Sequence, residues 1–169
     1  MRGETSEPAT PSPVEDAVTP NQAAVDPLVE RAREALLLVF EESLFLALDP
    51  LPAASPFAGD AVHTWVAFHG PFEATLHLRL PWALAEAITA DFLGEGEPDE
   101  EMVLDACCEA ANMVAGRLVK ALSPEERRYT LEIPAALVEE APEVAPGSCA
   151  FTTGEAEVHL WLTPAHDPA

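Results

Sequence analysis

Two runs of alternating residues, joined by the turn dipeptide Gly70-Pro71, constrain the fold more than any other feature of this sequence. In residues 61–69 and again in residues 75–80, apolar side chains occupy nearly every second position. A period of two is typical of a β-strand with one buried face, and Gly-Pro favours a tight connection. The two runs therefore predict an antiparallel hairpin.

Three helices are predicted around this hairpin from apolar spacings of three and four. The first is expected to begin with Asp26 as its N-cap and Pro27 in its first turn, and to end before Pro50. The other two are expected from Pro81-Trp82 to Gly94 and from Asp99 to Ser123-Pro124. Gly94 suits the position after a helix, and Asp99 suits an N-cap.

The rest of the chain predicts more strand. One strand is expected at about residues 128–133, with Tyr129, Leu131 and Ile133 on one face, followed by a connection rich in proline and glutamate. A last hairpin is expected with its turn near Gly154-Glu155. The order α-β-β-α-α-β-β-β favours an α+β fold, a mostly antiparallel sheet with about three helices packed on it. Residues 1–25 are expected to form a disordered tail and residues 26–165 a single domain.

Charge and hydropathy exclude some partners. The net charge of -22, from 30 acidic against 8 basic residues, would repel nucleic acid and anionic membranes. No apolar run approaches the roughly 20 residues that span a bilayer, and the N-terminus lacks the pattern of a secretory signal. We therefore expect a cytoplasmic protein that binds neither nucleic acid nor membrane.

The third helix carries the residues that could be functional. Its expected core stripe is Leu104, Cys108, Ala111, Ala115, Leu118 and Leu122. At about 100° per residue, a second stripe lies roughly 110° around the helix from the first. This second stripe is Asp105, Glu109, Asn112 and Gly116. We call these four residues the polar ridge.

The residue types on the polar ridge suit positioning better than strong base catalysis. A carboxylate can pair with a lysine, a carboxamide can orient a water molecule, and a glycine allows a partner's backbone to approach. The alternative is a solvated helix flank with an incidental Asn112 and a Gly116 kept for helix packing. No phosphate-binding loop, dinucleotide fingerprint or zinc motif is present in the sequence, and we predict no metal site. His63 and His69, with His77 on the neighbouring strand, are expected on the sheet surface.

At this helix the sequence resembles a known family. The run EAANMVAG resembles the signature helix of the CheC/CheX/FliY chemotaxis phosphatases, in which Asp or Ser precedes E-x-x-N and a proline follows further along. Asp105, Glu109, Asn112 and Pro134 match these positions. The first hairpin with its following helix, and the later strands YTLEIPAAL and FTTGEAEVHLWLT, are also similar to the family, so that the resemblance covers about residues 28–163. Because E-x-x-N occurs once, the chain is most similar to CheX-like members with a single motif.

The resemblance implies a function and a division of labour. The protein would accelerate hydrolysis of the aspartyl phosphate of a CheY-like response regulator. The catalytic residues would be Glu109, which pairs with the receiver lysine, and Asn112, which orients the attacking water. Asp105, Met113 and Gly116 would contact the partner. The protein would need no cofactor of its own, because the receiver domain supplies Mg²⁺.

Two questions stay open at this level. A non-catalytic adaptor of the same fold could bind response regulators without dephosphorylating them, although it would not need the amide of Asn112. The resemblance also allows a homodimer formed through the sheets.

Overall fold

The computed structural model describes residues 20–94, 96–123 and 128–165. Within these residues the chain forms three helices and seven strands. In chain order they are α1 (Pro20–Ser43), β1 (Asp49–Leu51), β2 (Ala61–His69), β3 (Ala74–Pro81), α2 (Trp82–Leu93), α3 (Glu100–Leu122), β4 (Thr130–Leu131), β5 (Ala135–Glu139), β6 (Cys149–Thr152) and β7 (Glu157–Pro164).

All strand pairs belong to one antiparallel sheet with the order β1-β6-β7-β3-β2-β4, and β5 also pairs with β2. The predicted hairpin of β2 and β3 lies at its centre, with Val66 opposite Leu76 and Val62 opposite Leu80. The last hairpin is formed by β6 and β7. The predicted α+β class is therefore confirmed.

The helices cover one face of this sheet. Alternate residues of β2, β3 and β7 are fully buried and share a single apolar core with all three helices. Helix α3 packs on β2, β3 and β5, with α1 and α2 against it. The main strand members of the core are Val62, Val66, Phe68, Leu76, Leu78, Leu80, Val158 and Leu160. This packing leaves one side of α3 facing away from the sheet.

The predicted start of the first helix is wrong. Helix α1 begins at Pro20, and Pro27 lies inside it instead of in its first turn. A proline inside a helix removes one backbone donor but does not always end the helix. Of the predicted disordered tail, residues 20–25 are helical, while residues 1–19 lie outside the described residues.

The predicted strands after α3 also need correction. Only Thr130–Leu131 pairs within the first of them, and Ile133 is exposed. The Pro/Glu-rich connection contains β5, which the sequence did not predict, and β1 was missed as well. The β5 strand ends at Glu139, whose carboxylate is 2.6 Å from the guanidinium of the buried Arg79.

The helix boundaries beside the polar ridge are confirmed. Gly94 follows α2 with a φ of 72°, a left-handed conformation that favours glycine, and its N–H donates to the carbonyl of Ala90. The Asp99 side chain accepts a hydrogen bond of 2.9 Å from the backbone N–H of Met102. In the part of the chain that the structure describes, no helix is both long and apolar enough to cross a membrane.

Candidate functional site

Helix α3 carries the polar ridge on the side that faces away from the core. Its buried residues are Val103, Cys107, Ala110, Ala111, Val114, Ala115 and Leu118. The centre of this arc lies about 60° from the predicted core stripe, at about 100° per residue. Leu104, Cys108 and Leu122, which were predicted to face the core, are only half-buried. The sequence predicted the polar ridge on the flank of the core. In the structure the ridge is nearly opposite the core.

Packing by α1 and α2 explains the difference. Both helices contact α3 on the same side, α2 beside Met102 and Ala106 and α1 beside Met113 and Arg117. Their coverage extends the buried arc toward that side and moves its centre. The polar ridge remains outside the arc, where another molecule can reach it.

The predicted site residues differ in exposure. Asp105 and Glu109 are exposed, whereas Asn112, Met113 and Gly116 are half-buried. Glu109 and Asn112 are three residues apart, so that they lie on successive turns separated by a rise of about 4.5 Å. Partial burial restricts the Asn112 side chain while leaving part of it accessible.

Two depressions border the polar ridge. The α2–α3 depression, of about 340 Å³, is lined by Asp105 and Glu109 together with an apolar set. That set is Phe92, Leu93, Met102 and Ala106, with Thr89. The α1–α3 groove, of about 570 Å³, is lined by Met113 and Gly116 and by a basic set consisting of Arg31, Arg117 and Lys120. The predicted site residues thus divide between two adjoining concave surfaces, with Asn112 on the ridge beside them.

Gly116 is not required for packing within this chain. A Cβ atom built on Gly116 would have no heavy atom within 4 Å. The alternative explanation, a glycine kept for helix packing, is therefore contradicted. The open space above Gly116 is available to another molecule.

Comparison with protein families identifies the family of this chain. A model of the family described as chemotaxis phosphatase CheX matches residues 62–153, which is more than half of the chain and includes all of α3. The chain belongs to the CheX family. The resemblance found in the sequence is thereby confirmed. A search of the curated proteins found no match.

Solved structures of CheX proteins have the same fold. CheX from Vibrio vulnificus is 20% identical with a TM-score of 0.63, and the match covers 80% of this chain and 96% of that one. CheX from Desulfovibrio desulfuricans is 18% identical with a TM-score of 0.62, and the match covers 81% of this chain and 99% of that one. A chain of the CheX–CheY–BeF₃–Mg²⁺ complex from Borrelia burgdorferi is 18% identical with a TM-score of 0.61, with coverages of 80% and 97%.

His63, His69 and His77 lie on the face of the CheX sheet opposite the helices. Nε2 of His63 lies 3.0 Å from Nδ1 of His77, and Nδ1 of His63 lies 3.3 Å from a carboxylate oxygen of Glu139. His69 is apart from this pair and lies 2.8 Å from Glu132. Among the described residues, no group of three or more His, Cys, Asp or Glu side chains could hold a metal ion.

Sequence reasoning missed the surroundings of the ridge in this CheX protein. Phe92 and Leu93 are exposed near the end of α2, and Phe45, two residues after the end of α1, is 87% exposed with a φ of 55°. Exposed apolar side chains of this kind mark contact surfaces, but their exposure is known only from the structure. The proximity of Phe92 and Leu93 to Glu109 depends on how α2 packs on α3, which periodicity does not reveal.

Proposed function

We propose that this CheX-family chain accelerates the hydrolysis of the aspartyl phosphate of a CheY-like receiver domain. Helix α3 enters the receiver's active site with the polar ridge leading. The Glu109 carboxylate pairs with a lysine of the receiver, and the Asn112 carboxamide holds a water molecule in line with the phosphorus atom. Asp105, Met113 and Gly116 contact the receiver around this pair.

The reaction transfers the phosphoryl group to water. The water oxygen forms a bond to phosphorus while the bond from phosphorus to the aspartyl oxygen breaks, which releases phosphate and regenerates the receiver's carboxylate. A carboxamide can accept a hydrogen bond from the water through its oxygen and donate one to the phosphoryl group through its nitrogen. Catalysis of this kind relies on positioning instead of on a strong base.

The observation that carries this proposal is the placement of Glu109 and Asn112 on successive turns of α3, on the side opposite the core. The side chain of Asp99 caps this helix, and the core holds its inner face, so that the outward residues have fixed relative positions. The open space at Gly116 lets a second backbone come close to the same ridge.

The magnesium ion in this mechanism belongs to the receiver. Mg²⁺ prefers carboxylate, carbonyl and water oxygens together with phosphoryl oxygens. The Borrelia complex contains CheY, BeF₃ and Mg²⁺ together with CheX. We propose that this chain likewise acts on a receiver that already holds Mg²⁺ and contributes no metal ligand of its own.

The deciding experiment measures loss of phosphate from receiver domains encoded in the same genome. We expect Asn112→Ala to abolish the acceleration but to leave receiver binding within about twofold, because the amide positions water and contributes little to affinity. Glu109→Ala should weaken both binding and acceleration, because its carboxylate contacts the receiver directly. An Asn112→Ala variant as active as the wild type would contradict the mechanism.

The same experiment separates the adaptor from the enzyme. A chain that binds a receiver loaded with beryllofluoride and Mg²⁺, yet does not accelerate dephosphorylation of any receiver, would be an adaptor. The homodimer stays a prediction, and light scattering coupled to size-exclusion chromatography measures it.

A further inference from the structure

The α1–α3 groove concentrates positive charge in a strongly acidic protein. Three of the chain's eight lysine and arginine residues line it, although the net charge of the chain is -22. These residues are Arg31 from α1 and Arg117 and Lys120 from α3. Arg117 and Lys120 are three residues apart on α3, so their side chains lie on the same side of the helix.

Two carboxylates partly offset this charge. Glu34 lines the groove and lies 3.1 Å from Arg31, and Glu42 lies 2.7 Å from Arg117. All four of these side chains are well exposed, so each pair is weak and can exchange partners. Among the residues that the structure describes, no carboxylate lies within 4.0 Å of the Lys120 ammonium.

The groove is continuous with the polar ridge. Met113 and Gly116, which we place in contact with the receiver, form part of its wall. A protein that covers Gly116 would therefore also border the groove. The active site of a receiver is rich in acids, because carboxylates both hold Mg²⁺ and accept the phosphoryl group. A partner with such a surface would be repelled by most of this chain, whose net charge is strongly negative.

We propose that the α1–α3 groove receives the acidic rim of the receiver's active site, with Arg31, Arg117 and Lys120 attracting its carboxylates. This inference rests on the proposed function, since it takes the receiver as the partner. The basic side chains of the groove attract an acidic receiver, whereas the rest of the surface repels it. Association is therefore fastest in the orientation in which the ridge already faces the receiver. The Glu34 and Glu42 carboxylates weaken this attraction.

The experiment uses the full chain and receivers loaded with beryllofluoride and Mg²⁺, with affinity and association rate measured at 0.1 M and 0.5 M salt. We expect Arg31→Glu and Lys120→Glu each to weaken binding about 3- to 10-fold at the lower salt, mainly through slower association. The effect should shrink at the higher salt, because screening shortens the range of the charges.

Two further variants should have the opposite effect. Glu34→Gln and Glu42→Gln each remove a carboxylate that competes for a groove arginine, so binding should become about 2- to 5-fold tighter. A substitution that merely disturbs the fold would not strengthen binding. Arg128→Glu is the matched control, because Arg128 is exposed and does not line the groove, and it should change affinity less than twofold.

The outcomes separate this inference from the proposed function. If the groove variants bind like the wild type while Asn112→Ala still abolishes the acceleration, the inference is wrong and the function stands. If reversals in the groove change only the oligomeric state, the occupant is a second copy of this chain and the inference is also wrong. A wild-type rate in Asn112→Ala would contradict the role of the amide, and a wild-type chain that accelerates dephosphorylation of no receiver would overturn the function itself.

Discussion

His63 and His77 form a hydrogen bond between their imidazole rings, with 3.0 Å between Nε2 of the first and Nδ1 of the second. The bond needs one ring nitrogen without a proton, so the two rings cannot both be cations while it lasts. The pair lies on the face of the sheet opposite the helices. Thr163 is 2.9 Å from the far nitrogen of His77.

Because of this histidine pair, we expect the free energy of unfolding to decrease in mildly acidic solution. Burial, together with the positive charges of His63 and Arg79, lowers the pKa of His77 from 6.5 to about 4. Burial also lowers the pKa of His63, while Glu139 acts in the opposite direction. Below pH 6.5 the unfolded chain binds protons that the folded chain does not, so the free energy of unfolding should fall between pH 6.5 and about 4.

The measurement is denaturant unfolding of wild type and His77→Phe across this range. Phenylalanine keeps a ring for stacking on Trp161, whose ring is 4.8 Å away, but cannot bind a proton. We expect the variant to show a shallower decrease with falling pH. Equal slopes for the two proteins would show that His77 does not control this dependence.

Gly116→Ala should change stability and function in opposite directions. The new methyl group would meet no heavy atom within 4 Å, and alanine favours a helix interior over glycine by about 0.5–1 kcal/mol. The free energy of unfolding should therefore rise by about that amount. Dephosphorylation of the receiver should slow, because the methyl group occupies space needed by the partner. A more stable variant with unchanged activity would show that the receiver does not approach Gly116.

Gly70→Ala should destabilise the protein. A Cβ at Gly70 would lie 2.5 Å from Cδ1 of Tyr129, whose ring also packs edge-on against Phe68. Displacing this ring should cost about 1–3 kcal/mol in unfolding free energy. Gly59→Ala is the matched control, because a Cβ there has no neighbour within 4 Å, and it should shift stability by less than about 0.5 kcal/mol. A similar stability for both variants would contradict the close packing.

Phe92→Ala should weaken receiver binding without preventing turnover at saturating receiver. Phe92 is exposed in the α2–α3 depression, whose lining includes Glu109, so a receiver engaged with Glu109 would also cover this ring. Phe72 has nearly the same exposure, 49% against 51%, but lines neither depression. Phe72→Ala should therefore bind normally. Loss of affinity in both variants would indicate a general effect of surface apolarity.

The sequence was sufficient to predict the central elements. Burial alternates along most of β2 and along the first half of β3, and α3 has an aspartate cap, so local signals and tertiary packing agree there. The alignment of Asp105, Glu109 and Asn112 on one stripe follows from helix geometry alone. For these elements, periodicity and the capping residue contain the necessary information.

The errors have specific physical causes. Strand β5 looks like a polar connection because it ends in glutamates, yet Glu139 is accommodated by His63 on β2, the strand that pairs with β5, and by Arg79 on β3. The buried arc of α3 was misplaced because adjacent stripes, one beginning at Val103 and one at Leu104, are nearly equally apolar. The choice between them is made by the packing of α1 and α2 against α3, which the periodicity of α3 alone does not contain.

The polar ridge comes entirely from α3, without a contribution from any loop. If the proposed roles are correct, a single substitution at Asn112 would leave a protein that still covers the receiver's phosphoryl group and keeps bulk water away from it. Such a variant would lengthen the lifetime of the signal that the wild type ends. A change of one side chain on this helix would therefore convert a protein that shortens the signal into one that prolongs it.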